Sequence, residues 1–231
     1  MNNFEQTLFN DLKAFLKLLT NGFYFNERDL QVNLAFYLNS TKHYDSIELE
    51  YLVPNVMIPK IPNNNTFCPW KNDFYIDLVV SKKGEYIPIE LKYKTKLVHA
   101  QINRFGLPTP SAIDVVKTHS AQDMGRYDFW KDVRRVELLK KAFSKSVKHG
   151  FCVFVTNDPA YTKIPRTGSN YTNFSMEPAQ HGPYMSWLKM SSVTQNRPNF
   201  ILDCPYTINW VTTQQQCGSK SVETYYTIVM V

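Results

Sequence analysis

No apolar stretch in the 231-residue chain approaches the length needed to cross a bilayer; runs such as Phe151 to Val155 and Thr227 to Val231 are among the longest. Residues 1 to 20 also lack the unbroken apolar core of a signal peptide, because Glu5, Asp11, Lys13 and Lys17 interrupt it. A cytoplasmic protein with no membrane partner is therefore expected. Cysteine is scarce, and Cys68, Cys152, Cys204 and Cys217 show neither CxxC nor Cys/His ligand spacing, which argues against a zinc site and a disulfide framework. Internal repeats and the apolar-poor composition of disordered chains are missing too.

What is present is the composition of a soluble globular protein, 43% hydrophobic and 14% aromatic. The length suits one domain, read as a core of residues 22–160 with a helix over 1–21 and a C-terminal extension over 161–231 packed on it. The formal charge of +6 favours a polyanionic partner, since Lys and Arg neutralise phosphates.

Phe4, Leu8, Leu12, Phe15, Leu16 and Leu19 recur at helical spacing up to Asn21-Gly22. Asn26 caps a second helix, Glu27 to about Leu38, whose first turn carries Glu27 and Asp29 where the dipole favours carboxylates. Alternation of Ile47, Leu49, Tyr51 and Val53 with Glu48 and Glu50 predicts a strand ending at Pro54, followed by a Pro- and Asn-rich loop to Asn72. Phe129, Val133, Val136, Phe143 and Val147 mark a helix from about Tyr127 to His149 with Gly150 as its C-terminal cap. Phe151 to Thr156 reads as a buried central strand, and Thr207–Thr212 and Tyr225–Val231 as two final strands separated by a Gln-rich turn. Because the chain ends within a strand, it is expected to be complete.

Between these lie Phe74, Ile76, Leu78 and Val80, then Ile87, Ile89, Leu91 and Tyr93, joined by Lys82-Lys83-Gly84-Glu85: a β-hairpin. A turn centred between Lys83 and Gly84 sets Asp77 opposite Glu90. Opposed side chains share a face with Cβ atoms about 4.5–5.5 Å apart, so two carboxylates there repel unless a cation separates them. Mg²⁺ (or Mn²⁺) suits, because it needs only one or two carboxylates beside water and phosphate oxygens. Lys92 emerges on the face of Glu90, one pleat along.

Asp77 followed by Glu90-Leu91-Lys92 resembles the PD-(D/E)xK nuclease superfamily, over roughly residues 22–160. The segments Ala121 to Phe129 and Thr156-Asn157-Asp158-Pro159 are similar to bacterial members of it, whereas the family's Pro-Asp pair is replaced by Phe74-Tyr75-Ile76 before Asp77. The resemblance implies an α/β (α+β) fold with a central mixed β-sheet flanked by helices, restriction endonuclease-like. It implies that Asp77 and Glu90 bind metal with help from the Leu91 carbonyl, and that Lys92 orients or activates the attacking water. Glu27 looks like the extra acid of the family's first core helix; metal ligand and helix-terminal charge both stay open for it. Asp123, Arg126 and Asp128 are read as ordering substrate or the groups around it on the same basis; Gln31 and Lys94 are also read as substrate contacts, with packing or backbone bonding open for Gln31 and a solvated row with Lys96 open for Lys94.

The expected activity is Mg²⁺-dependent endonucleolytic hydrolysis of DNA in bacterial defence or restriction, with RNA as a further substrate class and a homodimer or a defence-system protein as further partners. The alternative is a non-catalytic nucleic-acid-binding or protein-interaction module that keeps the fold. Lys131, Arg134, Arg135, Lys140, Lys141, Lys145 and Lys148 either track a phosphate backbone or form a solvated helix face, with Asp132 and Glu137 interspersed. The aromatics Tyr161, Tyr171, Phe174, Tyr184 and Trp187 are assigned to packing ahead of base stacking. His99 and His119 are given a minor role.

Overall fold

The periodic leucines of the N-terminal third form two helices, α1 (Asn3–Lys17, continued by a 3₁₀ turn at Leu18–Asn21) and α2 (Glu27–Thr41). The Asn26 side chain accepts the Asp29 N–H at 2.8 Å, the expected cap of α2. A computed structural model describes residues 3–58, 73–189, 191–192 and 194–231. Most of the loop expected over Pro54–Asn72, and Cys68 within it, lies outside the described residues.

Six strands form the main sheet: β1 (Ser46–Val53), β2 (Phe74–Lys82), β3 (Glu85–Lys94), β4 (Phe151–Thr156), β5 (Val211–Cys217) and β6 (Lys220–Met230). Their order is β1-β2-β3-β4-β6-β5, with β3 and β4 parallel and every other neighbouring pair antiparallel. The fold is thus mixed α/β, a large mixed sheet flanked by helices. No helix among the described residues is long and apolar enough to cross a membrane.

α1 and α2 cover one face. Leu8, Leu12, Leu16, Leu30, Leu34 and Leu38 pack there on Leu78, Val80, Ile89, Leu91, Phe151 and Val153. Each fully buried leucine contributes about 1.5–3 kcal/mol of transfer free energy, enough in sum to fix which side of the hairpin faces inward. The other face is covered by α3 (Gln122–Ala142) and by the aromatic segment after β4, where Phe129, Trp130, Val133 and Phe154 meet Tyr161, Phe174, Trp187 and Phe200. The chain's two ends therefore both enter the packing, α1 as a layer and β6 as an interior strand. The N-terminal helix with its 3₁₀ turn ends at Asn21, and both it and the segment after residue 161 pack on the sheet.

α3 begins five residues earlier and ends seven residues sooner than its periodicity suggests. Gly125 disguises its start. A Cβ there would lie 2.4 Å from the Tyr161 hydroxyl, so glycine is required by close approach inside a regular helix. At the other end Phe143 caps the helix with its N–H on the Leu139 carbonyl. Gly150 is not the cap: it exchanges backbone hydrogen bonds with Val231, and a Cβ would meet Val136 at 2.3 Å.

Residues 97–117 form an arm. Val98–Ala100 pairs with Ile113–Val116, and Asn103–Arg104 with Leu107–Pro108. Val98, Ala100, Ile102 and Val116 seat its base on Cys217 and Val222. Gly218, in the β5–β6 turn at φ +60, comes so close that a Cβ would be 1.9 Å from the Gln101 carbonyl oxygen. Gly218→Ala is expected to cost about 2–4 kcal/mol through left-handed strain and this clash. A lowered denaturant midpoint at unchanged m-value checks it; a midpoint equal to the parent's would show that the arm is not seated on this turn.

Candidate active site

The β2–β3 register is the expected one, with Lys82 opposite Glu85 across a Lys83-Gly84 turn at φ +51 and +78, and Leu78 opposite Ile89. There the ladder ends, one residue short of Asp77 and Glu90. The β1–β2 ladder skips the same place, running from Leu49 opposite Leu78 to Tyr51 opposite Ile76 and leaving out Glu50, whose φ is +49. Left-handed backbone at Glu50 turns the pleat over. Leu78 and Val80 face α1 and α2, while Phe74 and Ile76 pack on Leu138 and Leu139 of α3. The single apolar face expected from Phe74 to Val80 is therefore split at Asp77.

Breaking the ladder leaves backbone groups to be paired by side chains. Gln31 Nε2 donates to the Asp77 carbonyl at 2.5 Å and to Glu50 Oε1 at 3.0 Å. Asp77 Oδ2 accepts the Leu91 N–H at 2.6 Å, and Glu27 Oε2 accepts the Tyr93 N–H at 2.8 Å. Two carboxylates thus take alternate N–H groups of β3 past the point where its ladder with β2 ends. Glu27 holds the opened strand, and Gln31, only 3% exposed, holds Asp77 instead of reaching a substrate.

Glu90 and Lys92 point to the α3 side. Lys92 Nζ lies 2.7 Å from Asp132 Oδ2, a charge contact and not an aligned hydrogen bond, and donates to the Leu91 carbonyl at 3.1 Å. Arg135 Nη1 reaches Glu90 Oε1 at 3.3 Å and Asp132 Oδ1 at 3.2 Å. The Glu90 and Asp132 side chains are 2% and 1% exposed, and Lys92 is 15% exposed.

Burial pushes Glu90 well above the usual carboxylate range, reinforced by Asp132 and Asp77 and opposed by Arg135 and Lys92. Asp77 is also raised by burial, with Lys92 and the Leu91 N–H working against the shift. Burial works against the charge of Lys92, but Asp132, Glu27, Glu90 and Asp77 outweigh it and hold the ammonium above its ordinary value. Four carboxylates therefore surround two cations, Lys92 and Arg135, leaving two negative charges uncompensated when all are ionised.

Asp132 and Arg135 were not among the expected site residues, although the sequence carries a signal for one of them. Asp132 stands three residues after Phe129 and four before Val136, inside the apolar stripe of its own helix. The basic row is not a continuous phosphate track. Arg134 is buried between Glu137 and Asp203 at 2.7 and 2.8 Å, Arg135 is in the site, and Lys131 and Lys141 pair with Asp128 and Asp203.

The other expected contacts are dispersed. Arg126 is 2% exposed and donates to the Ala160 and Tyr161 carbonyls, so it ties α3 to the segment after β4 and is not a substrate contact. Asp123 accepts the Met124 N–H within the first turn of α3, and Asp128 precedes Asp132 by one turn. Lys94 is half-buried one pleat beyond Lys92. His119 Nδ1 accepts the Thr95 N–H at 3.0 Å and His99 pairs with Asp114, both outside the carboxylate cluster. Asp158 takes Gln122 Nε2 at 2.5 Å and caps Ala160, bracing α3 against the end of β4.

Among the described residues no group of three or more His, Cys, Asp or Glu side chains is arranged to hold a metal ion. The donor chemistry nevertheless fits a hard divalent cation: Asp77 and Glu90 supply oxygen from adjacent strands beside the Leu91 carbonyl, and Mg²⁺ asks no more than one or two carboxylates of a protein. Compared with known proteins, the chain matches no family model, no curated protein and no solved structure.

Proposed function

We propose that the chain is a metal-dependent nuclease of the PD-(D/E)xK type that hydrolyses phosphodiester bonds in DNA. The observation carrying this reading is the buried cluster at the end of the β2–β3 ladder, four carboxylates against two cations when all are ionised, with a lysine held in its midst. The order α2-β1-β2-β3-α3-β4, with antiparallel β1-β2-β3 and parallel β3-β4, supports a restriction endonuclease-like core around it. Asp77, Glu90 and the Leu91 carbonyl would hold Mg²⁺ or Mn²⁺. Bound there, such an ion supplies Lewis-acid stabilisation of the phosphate and lowers the pKa of water.

The chain's own residues set the stage. Lys92, kept charged by the surrounding acids, orients a water or phosphate oxygen beside Asp77 and Glu90. Asp132 holds the ammonium in place from α3. Glu27 and Gln31 take backbone groups that the broken ladder frees, and the carboxylate of Asp77 is held on the Leu91 N–H. Arg135 balances Glu90 and must yield it when a divalent ion enters.

One observation favours the second reading, a non-catalytic binding module: Glu90 and Lys92 are both engaged by charges of α3. A single experiment separates the two. Purified protein is incubated with supercoiled plasmid, linear duplex, single-stranded DNA and RNA, each with Mg²⁺, Mn²⁺ or EDTA. DNA cleavage that requires a divalent ion and vanishes in EDTA is expected. Undiminished cleavage in EDTA would overturn the mechanism, and intact substrates throughout would leave the binding module.

A further inference from the structure

The tip of the arm joins Asn103–Arg104 to Leu107–Pro108 through Phe105-Gly106, at φ +52 and +83. Phe105 is fully exposed and Leu107 is 71% exposed. A non-glycine residue in the left-handed region is strained, and an aromatic there gains no burial in return. Fold stability does not account for Phe105.

The base of the arm, by contrast, is fixed. It is seated on β5 and β6 and pressed against Gly218, and the Thr109 N–H closes it on the Ile102 carbonyl at 2.9 Å. The Arg104 guanidinium lies 4.5 Å over the ring of Phe25, in the segment leading into α2 and Glu27. The arm is therefore a firmly based ribbon with an apolar point, following β3, the strand that carries Glu90 and Lys92, by two residues. Its surroundings are basic. Lys94 and Lys96 precede it and Arg104 and Lys117 belong to it, while its acid, Asp114, is 2.8 Å from His99.

We propose that this tip is a wedge for double-stranded nucleic acid: Phe105, with Leu107 beside it, presses against a base step from a groove while Arg104, Lys96 and Lys117 contact phosphates. Apolar side chains that unstack a step, flanked by cations that follow the backbone, are a known way of gripping a duplex. With no acid between residues 97 and 113, Arg104 next to the tip and Lys96 and Lys117 at the base, the charge of the arm selects a polyanion over an apolar protein surface. The wedge rests on the nuclease reading for its substrate class, and its test does not depend on cleavage.

The test uses a fluorescein-labelled 20-base-pair duplex in EDTA and again in Ca²⁺, read by anisotropy over a range of salt. Phe105→Ala should weaken binding about tenfold or more, with an unchanged melting temperature and an unchanged slope of log Kd against log salt. Lys96→Ala with Lys117→Ala should flatten that slope by about two units. A duplex carrying 2-aminopurine should brighten on binding the parent and not on binding Phe105→Ala. Equal affinities without brightening would overturn the wedge, as would no binding by the parent or tighter binding of the single strand. A dimer that Phe105→Ala disrupts in sedimentation equilibrium, with duplex affinity unchanged, would assign the tip to self-association instead. Cleavage by the parent alongside equal affinities would sink the wedge alone; brightening without cleavage in Mg²⁺ would sink the catalytic reading alone.

Discussion

Lys92→Ala is expected to lower DNA cleavage by about 10³-fold, because a positioned cation beside the reacting phosphate acts mainly on the transition state. Among the described residues Lys92 is the one lysine held by Asp132 and the Leu91 carbonyl within reach of Asp77 and Glu90. Its removal also leaves Arg135 as the one charge partner of the buried Asp132 among the described residues, so some metal-free stability is lost with it. Lys92→Arg separates the two effects. It keeps the charge near Asp132 and should melt within a few degrees of the parent, yet its planar fork cannot replace a compact ammonium, and cleavage should remain at least about 100-fold down. Near-parental cleavage by Lys92→Arg, or folding failure as the whole effect of Lys92→Ala, would make Lys92 a structural charge.

Trp130→Ala is expected to carry the largest stability loss, about 3–5 kcal/mol, or roughly 10 °C in melting temperature for a chain of this size. Trp130 is wholly buried, and its indole N–H donates to the Phe174 and Ser175 carbonyls at 3.3 and 3.1 Å. The substitution opens a cavity and removes the donor that pins the aromatic segment to α3. Thermal and denaturant unfolding decide it. A loss under about 1 kcal/mol would mean that residues 161–202 are a loose cover, open to bases, and not part of the core.

These two residues also mark what could be read from the sequence. Lys92 was found because strand alternation is short-range: once Lys83-Gly84 is recognised as a two-residue turn, the register from Leu78 to Ile89 follows by counting. The kink at Glu50 and Asp77 does not follow, since a left-handed glutamate leaves no mark in an alternating pattern. Without the kink Gln31 and Glu27 have no free backbone groups to serve, so their roles were hidden as well. Trp130 stands next to Phe129 of the periodic stripe but outside the stripe as read, and its partners are 44 and 45 residues away in a segment without period. Gly125 and Gly150 misplaced the ends of α3 because both are required by side chains from other elements, whereas local rules treat glycine as punctuation. Asp132, read from the sequence as part of a basic or solvated face, stands at the spacing of the apolar stripe, and its partner Lys92 explains why it can be there.

That the buried cluster is built to receive a divalent cation is tested most directly by melting the parent and Asp77→Asn in EDTA and in Mg²⁺. Burial raises the pKa of Asp77, so its charge costs stability in the metal-free fold, and asparagine can still accept the Leu91 N–H. In EDTA the variant should melt at or above the parent. Mg²⁺ at one hundred times Kd should stabilise the parent by about 2.7 kcal/mol, or roughly 5–10 °C, and the variant much less. Glu90, held above the usual carboxylate range, must lose its proton to bind the ion, so the parent's gain should grow as pH rises. A variant that melts well below the parent in EDTA, or equal responses of the two proteins to Mg²⁺, would contradict a cation site at Asp77 and Glu90.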